Sequence, residues 1–273
     1  MKKNLILVLS LLMLTVAAMS VPKIRAASEQ TASEPLMPGV PADAYSTLEA
    51  AEAPVKKYPA DIATILTPLW HYQGAYTSKL MRGIAGVLYV TNPSVPYPNR
   101  NDFYASRLLM QGPAGTWIEI GWAETGWTDW RRGYTYNQQW IYVYDSTHNT
   151  WEWDTTHRIS SGQSIEVQIR WSSGNNWEAL LRWSGQWVSL HIVDISFSVA
   201  TKTEEYGEIY VPAGDHWFVP NTNFASVRVL VSGELTYRLW DTSITPTIPS
   251  QTQYPYTVTW LAQYNKWYVQ TLP

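Results

Sequence analysis

Short runs of alternating residues, separated by turn residues, most restrict how this chain can fold. From about Tyr76 onward, runs rich in aromatic and β-branched residues predict strands, and Gly, Asn, Ser and Pro divide them. Segments such as 172–176 and 184–186 are typical of hairpin turns. No helix of ordinary length is needed after residue 76, so we expect an all-β fold, a two-sheet antiparallel sandwich. The predicted strands are 83–91, 103–110, 116–122, 139–145, 164–171, 177–183, 186–194, 206–211, 224–232, 235–240, 256–262 and 266–271.

The N-terminal residues have the pattern of an export signal. Lys2 and Lys3 precede an apolar run from Leu5 to Met19, and small residues follow it. That run is short for a membrane span, which needs about 20 residues. We therefore expect a signal peptide at 1–27, cleaved after Ser20 or near Ala27, and a secreted protein; an uncleaved N-terminal anchor is the alternative. Residues 28–75, rich in Ala, Ser, Glu and Pro, predict a linker or short pro-segment, and 76–273 the sandwich domain.

Charge and cysteine content exclude several function classes. The chain has 19 Lys and Arg against 22 Asp and Glu, and the predicted signal peptide holds four of the bases and no acid, so its removal leaves a net charge of −7. An acidic surface disfavours nucleic acid as a partner. Without any Cys, disulfides, thiolate metal sites and cysteine nucleophiles are impossible. We expect a monomer held together by its core, with no membrane attachment after signal cleavage.

The run from Trp117 to Trp122 combines strand periodicity with one acid. Side chains alternate between the faces of a strand, so Trp117, Glu119 and Gly121 share one face while Ile118 and its apolar neighbours share the other. If the apolar face is core, an aromatic ring, a carboxylate and a residue without a side chain lie in a row on the opposite face. The 16 Trp residues have two interpretations, core filling between the sheets and a ring-lined binding groove.

A second carboxylate has the same context. Glu208 lies in a strand-like run and shares a face with Tyr206 and Tyr210. Both glutamates could also be ordinary solvent-facing strand residues. The five His residues lack metal-site spacing, so we predict neither metal nor cofactor. The segment 151–154, Trp-Glu-Trp-Asp, is similar to a glucanase strand but lacks the third acid of that motif.

The order of several short motifs resembles the secreted glutamic peptidases, in the broad sense that joins the fungal acid peptidases with the neprosin-type enzymes. The likeness spans about 83–235. The stretch around Glu119 resembles the neprosin-type strand in which a catalytic Glu precedes Gly-Trp, where fungal members have Gln. The stretch around Glu208 resembles the strand of the second catalytic Glu. The remaining similar stretches are 86–91, 159–169 and 219–224.

This resemblance implies a fold and a reaction. The fold is a jelly-roll or concanavalin-like sandwich with the catalytic pair on its concave face. The reaction is hydrolysis of polypeptides at acid pH, with Glu208 as base and a protonated Glu119 as donor to the carbonyl oxygen. Trp117 and Gly121 beside Glu119, with Trp140 and Tyr142 on a neighbouring strand, would form the floor of an open substrate groove. A non-catalytic, lectin-like module that binds carbohydrate is the alternative function, and a structural surface protein is a third.

Overall fold

A computed structural model describes residues 70–96, 102–128, 135–211 and 217–272, and the regular structure in these ranges is entirely β-strand. None of the described residues forms a helix long and apolar enough to cross a membrane. The predicted signal peptide and the predicted linker up to residue 69 lie outside these ranges. The strands are β1 (Trp70–Thr77), β2 (Met81–Tyr89), β3 (Phe103–Gln111), β4 (Trp117–Thr125), β5 (Trp140–Asp145), β6 (Thr150–Trp153), β7 (Ser164–Ser173), β8 (Asn176–Trp183), β9 (Gln186–Asp194), β10 (Lys202–Tyr210), β11 (Thr222–Val231), β12 (Arg238–Leu239), β13 (Thr247–Pro249), β14 (Tyr256–Ala262) and β15 (Lys266–Thr271).

The strands form two antiparallel sheets packed as a sandwich, which confirms the predicted fold class. The seven-stranded sheet has the order β13-β1-β10-β3-β4-β5-β6. The eight-stranded sheet has the order β14-β15-β11-β2-β7-β8-β9, with β12 paired to β11 at one side. Each predicted strand from 83–91 onward overlaps a strand of the structure, whereas β1, β6 and β13 were not predicted.

The domain begins earlier than predicted. Residues 70–75, assigned to the linker from composition, belong to β1, which pairs with β10 along eight residues and with β13 along three. The hydrogen bonds on both sides make β1 an internal strand of the seven-stranded sheet. Any pro-segment must therefore end upstream of Trp70, because loss of β1 would expose the edge of β10.

The space between the sheets holds a large apolar core. It is built from alternate residues of both sheets, such as Ile118, Ile120 and Trp122 of β4, Ile209 of β10 and Trp267 of β15. A second cluster draws its members from the seven-stranded sheet and includes Trp70, Tyr72, Phe103, Tyr142 and Trp151. The seven-stranded sheet is therefore buried on both faces, and we call the face away from the eight-stranded sheet its outer face. Tryptophans belong to both clusters.

One acidic side chain points into the apolar core. Glu205 of β10 is fully buried, and its Oε2 accepts a 2.8 Å hydrogen bond from the Trp267 indole N–H across the sandwich. Burial raises the pKa of Glu205 well above its usual value, against the lowering effect of the Trp267 hydrogen bond. Glu205 therefore remains protonated in the folded chain under conditions where it ionises in the unfolded chain.

This difference predicts how stability depends on pH. The pKa of Glu205 is higher in the folded chain than in the unfolded chain. Its contribution to the free energy of unfolding is therefore fully present below the ordinary carboxyl pKa of 4.5 and is lost as pH rises toward the folded pKa. Glu205→Gln keeps an acceptor for Trp267 and removes the titration. We expect its free energy of unfolding to fall less steeply than that of wild type between about pH 5 and about pH 8, by up to about 1.4 kcal/mol per pH unit.

Urea unfolding at several pH values measures this slope. Thr203→Val is the matched control, because Thr203 is buried on the same face of β10 and carries no titratable group. Equal slopes for wild type and Glu205→Gln would contradict the prediction.

Candidate active site

Both sequence-selected glutamates lie on the outer face of the seven-stranded sheet. In β4 the core takes Ile118, Ile120 and Trp122, so Glu119 points the other way. In β10 the core takes Ile209 while Tyr206 and Tyr210 belong to the outer cluster, so Glu208 shares their face. The predicted alternation of faces is thus confirmed for both strands.

A single guanidinium joins the two carboxylates. Strand β3 lies between β10 and β4, with Ala105 opposite Glu208 and Leu109 opposite Glu119, so Arg107 lies midway between the two levels. Arg107 Nε donates to Glu208 Oε2 at 2.5 Å and lies 3.8 Å from Glu119 Oε2. Because both oxygens approach the same nitrogen atom, their separation cannot exceed the sum of these two distances. The two carboxyl groups therefore lie within the reach of one bridging water or one substrate carbonyl.

A third carboxylate also contacts Arg107. Its Nη1 donates to Glu204 Oε2 at 2.9 Å, and the guanidinium lies 5.8 Å and 5.6 Å from the ring centres of Tyr72 and Tyr206. Burial acts to lower the pKa of Arg107, but the carboxylates, Glu208 first, outweigh it and raise the pKa well above its usual value. Arg107 is thus a permanent cation at the centre of the outer face.

The pair is more deeply buried than the sequence analysis assumed. Glu119 and Glu208 are both 0% exposed, which corrects the expectation that they lie off the core on an open groove floor. They lie beside a packed aromatic cluster that includes Tyr142 and Tyr206. Two surface cavities, of about 580 and 280 Å³, are lined by other residues. In this conformation the two carboxyl groups are therefore closed off from solvent.

The distance to Arg107 distinguishes the two equally buried glutamates. Burial raises the pKa of Glu119 to about 8; the Arg107 guanidinium lowers this pKa, and the Glu208 carboxylate raises it. The Tyr142 hydroxyl also acts on this pKa, although neither Glu119 oxygen has a hydrogen bond of good geometry. Arg107, closer to Glu208 than to Glu119, favours the ionised form of Glu208. The arrangement therefore favours a proton on Glu119 over a proton on Glu208.

The four residues predicted to contact substrate differ in their surroundings. Trp117 is half-buried, with its ring 5.6 Å from that of Tyr144, and Tyr142 is fully buried near Glu119. Trp140 is 3% exposed; Arg158 covers its ring at 4.0 Å, and its indole N–H donates to the Thr135 carbonyl oxygen.

The structure explains why position 121 is a glycine, which the sequence analysis did not. A Cβ built at this position lies 2.0 Å from the carbonyl oxygen of Ser106 and 3.0 Å from Arg107 Cα. The absent side chain therefore lets β4 approach β3 closely, and the space beside Gly121 is filled by the neighbouring strand.

The structure adds functional residues that the sequence analysis missed, namely Arg107 and Glu204. A sequence signal existed for both of them. Arg107 is the one charged residue of β3, which is otherwise mostly apolar. A charged side chain in a buried strand needs an anionic partner. Glu204 lies four residues before Glu208, so the two alternate onto one face.

The remaining acidic motif, Trp-Glu-Trp-Asp, lies elsewhere. It falls in and after β6, where Asp154 Oδ2 pairs with His157 Nδ1 at 2.6 Å and Glu152 is exposed. Within the described ranges, no three His, Asp or Glu side chains are grouped so that they could hold a metal ion.

This chain resembles known proteins in its structure. No protein-family model matches the sequence, and no curated protein matches it. A crystal structure of scytalido-glutamic peptidase with a transition-state analogue inhibitor superposes with a TM-score of 0.52 at 15% identity, over 74% of this chain and 98% of that one. SCP-B, an eqolisin-family peptidase in complex with the tripeptide Ala-Ile-His, gives a TM-score of 0.46 at 14% identity, over 74% and 98% of the two chains.

At such identities, structural likeness speaks for the fold alone. The two-sheet sandwich agrees with the fold that the resemblance in the sequence implies. The described domain has a glutamic-peptidase-like fold.

Proposed function

We propose that this chain is a secreted endopeptidase of the glutamic type that uses Glu119 and Glu208 as its catalytic pair. One observation carries the proposal: the two carboxyl groups approach the same Arg107 nitrogen atom on one face of a glutamic-peptidase-like sandwich. In the neprosin-type pattern this pair is Glu and Glu, which favours that branch of the family over the fungal one.

The pair divides the chemistry of hydrolysis between base and acid. The Glu208 carboxylate removes a proton from water while the water oxygen attacks the peptide carbonyl carbon. Protonated Glu119 donates to the carbonyl oxygen, on which negative charge develops. As the tetrahedral intermediate collapses, Glu208 returns its proton to the leaving nitrogen, the C–N bond breaks, and an acid and an amine are formed.

Arg107 explains why the roles are not interchangeable. It contacts the two glutamates at 2.5 Å and 3.8 Å, so the charge of Glu208 is favoured over that of Glu119. A strongly paired carboxylate is a weaker base, and substrate binding must loosen this contact for Glu208 to accept a proton.

Activity also requires an open outer face. The complete burial of the pair is consistent with a latent form, in which the chain upstream of Trp70 serves as a pro-segment. Export followed by removal of that segment would admit substrate to Trp117 and to the side chains around Glu119.

Substitution of the pair tests the assignment. Glu208→Gln can still accept from Arg107 but cannot take a proton, and we expect no measurable turnover. Glu119→Gln keeps a donor and should retain partial activity, whereas Glu119→Ala loses the donor and leaves a cavity, and should lose about 100-fold or more in kcat. Cleavage of a denatured protein, followed by mass spectrometry, measures these effects.

Because both side chains are buried, thermal unfolding of every variant must accompany the assay. Glu152→Gln is the matched control, since Glu152 is an exposed carboxylate of β6 in the same sheet. Glu208→Gln with wild-type turnover would reject the base assignment. A wild-type protein that cleaves nothing at any pH but is retarded on a glucan column would favour the carbohydrate-binding module.

The pH profile gives an independent prediction. Glu119 acts while protonated, so activity should fall as pH rises through its pKa, about 8 in this structure. Burial is the largest cause of that raised pKa, so opening the face to water should move the decline toward acid and leave the optimum in the acid range. Glu119→Gln cannot titrate, and its rates should lack the alkaline decline. Measurement of kcat/KM from about pH 3 to about pH 9 tests this, and an unchanged decline in Glu119→Gln would refute it.

Processing can be tested separately. We expect the active secreted form to begin between residues 28 and 70, because β1 must stay in the sheet. N-terminal sequencing before and after acid incubation, with activity measured in parallel, checks this. Full activity from a chain whose residues 28–69 remain intact would exclude a pro-segment role.

A further inference from the structure

One buried phenol on the outer face has a hydroxyl without a hydrogen-bond partner. Tyr142 of β5 is 0% exposed, and its ring lies 4.7 Å from that of Trp151 and 5.7 Å from that of Trp153. Among the described residues, none accepts a hydrogen bond of good geometry from the Tyr142 hydroxyl. A buried hydroxyl without an acceptor costs free energy, so it requires an explanation, and a role in catalysis is one.

The strand register directs this hydroxyl toward the catalytic pair. Tyr142 lies opposite Gly121 on β4, and Gly121 lies opposite Arg107 on β3, so the three residues form one row across the strands. Two strand spacings separate the Cα atoms of Tyr142 and Arg107 by about 10 Å. Gly121 places no side chain between them. The phenol can therefore extend over β4 toward the guanidinium and its carboxylates.

Electrostatic interactions agree with this placement. Burial raises the pKa of Tyr142 well above its usual value, Glu119 and Glu208 raise it further, and Arg107 lowers it. The Tyr142 hydroxyl in turn lowers the pKa of Glu119. The hydroxyl therefore lies close to the Glu119 carboxyl, and it keeps its proton throughout the pH range of the assay proposed above.

The neighbouring phenol of β5 differs in its hydrogen bonding. Tyr144 is the next outer-face residue of this strand and lies opposite Glu119. Its hydroxyl donates a 2.8 Å hydrogen bond to Asn149 Oδ1, in the turn between β5 and β6. Tyr144 is thus held by a partner of its own, whereas Tyr142 brings a donor to the same carboxyl without such an acceptor.

Two donors without acceptors thus lie close together beside the candidate base. One is Glu119, on which a proton is favoured and whose two oxygens have no hydrogen bond of good geometry within the described ranges. The other is the Tyr142 hydroxyl. A carbonyl oxygen has two lone pairs, so it can accept from both donors at once. Donors held in place in a site without water stabilise the charge that develops on this oxygen.

We propose that Tyr142 is a further catalytic residue, whose hydroxyl donates a second hydrogen bond to the carbonyl oxygen of the scissile peptide bond while Glu119 donates the first. The hydroxyl keeps its proton throughout, so the balance of atoms in the hydrolysis is unchanged. This inference rests on the proposed function. It adds that the oxyanion is held from two strands, β4 and β5, while the base comes from β10.

Removal of one oxygen atom tests the role of the hydroxyl. Tyr142→Phe should lower kcat about 100-fold and leave KM nearly unchanged, because the hydrogen bond gains strength as the oxyanion forms. Its melting temperature should equal or exceed that of wild type, since the hydroxyl has no acceptor to lose in the described part of the free protein. Tyr144→Phe is the matched control. It should keep the wild-type kcat and melt at a lower temperature, because Asn149 loses its donor.

Binding of a peptide phosphinate separates direct contact from an effect exerted through Glu119. Its tetrahedral phosphorus carries oxygens where the oxyanion forms, and calorimetry measures its Kd without turnover. In Glu119→Ala no carboxyl remains to be positioned, so the hydroxyl can act only directly. The double variant Glu119→Ala/Tyr142→Phe should therefore bind the phosphinate at least about 10-fold more weakly than Glu119→Ala. If Glu119→Ala does not fold, Glu119→Gln takes its place in this comparison.

The outcomes separate this proposal from the proposed function. A lower kcat in Tyr142→Phe together with weaker phosphinate binding in the double variant supports the proposal. Wild-type kcat in Tyr142→Phe, or a melting temperature clearly below that of wild type, overturns it and leaves the peptidase intact. Equal phosphinate binding by the two proteins that lack Glu119 overturns the direct contact and assigns Tyr142 to the positioning of Glu119. A wild-type protein that cleaves no peptide at any pH rejects the peptidase, and this proposal with it.

Discussion

The outer face of this domain depends on one buried guanidinium. Arg107 contacts carboxylates from two positions of β10 and approaches a third on β4, so acids from both neighbouring strands are tolerated without solvent. A shift of β3 by one residue would turn Arg107 into the apolar core and separate it from Glu119, Glu204 and Glu208. The pairing register of β10, β3 and β4 is thus tied to the placement of Arg107 beside these acids. Loss of a single partner would leave a buried charge uncompensated, which is costly.

The seven-stranded sheet explains the composition of the chain. Both of its faces are buried, one against aliphatic and indole side chains of the opposite sheet and the other within an aromatic cluster. In that cluster the rings of Trp151 and Trp153 stack at 4.8 Å, and Tyr142 contacts both. Rings supply large buried areas without Cys, and they also surround a charged centre with groups of low polarity. The same residues therefore serve stability and electrostatics.

Sequence alternation was sufficient to predict the sheets and the faces of Glu119 and Glu208, because a buried strand imposes a strict period of two. It was insufficient for β1, which lies in a segment assigned by composition, and for the very short β6 and β13. Arg107 was missed because one charge in an apolar run has no partner in its own strand; the partner comes from β10. The burial of the pair was predicted wrongly, since periodicity identifies a face but not what lies against it.

The position of β1 has a consequence for control of the site. This strand lies directly beside β10, with Tyr72 opposite Glu208. Trp70, the first residue of β1, is two residues from Tyr72, about 7 Å along the strand. The chain that precedes Trp70 is therefore joined to the sheet close to the candidate base, and covalent attachment raises its local concentration there above that of a free peptide. If that chain is the pro-segment proposed above, cutting it would allow it to diffuse away, so latency in this fold would be a matter of local concentration.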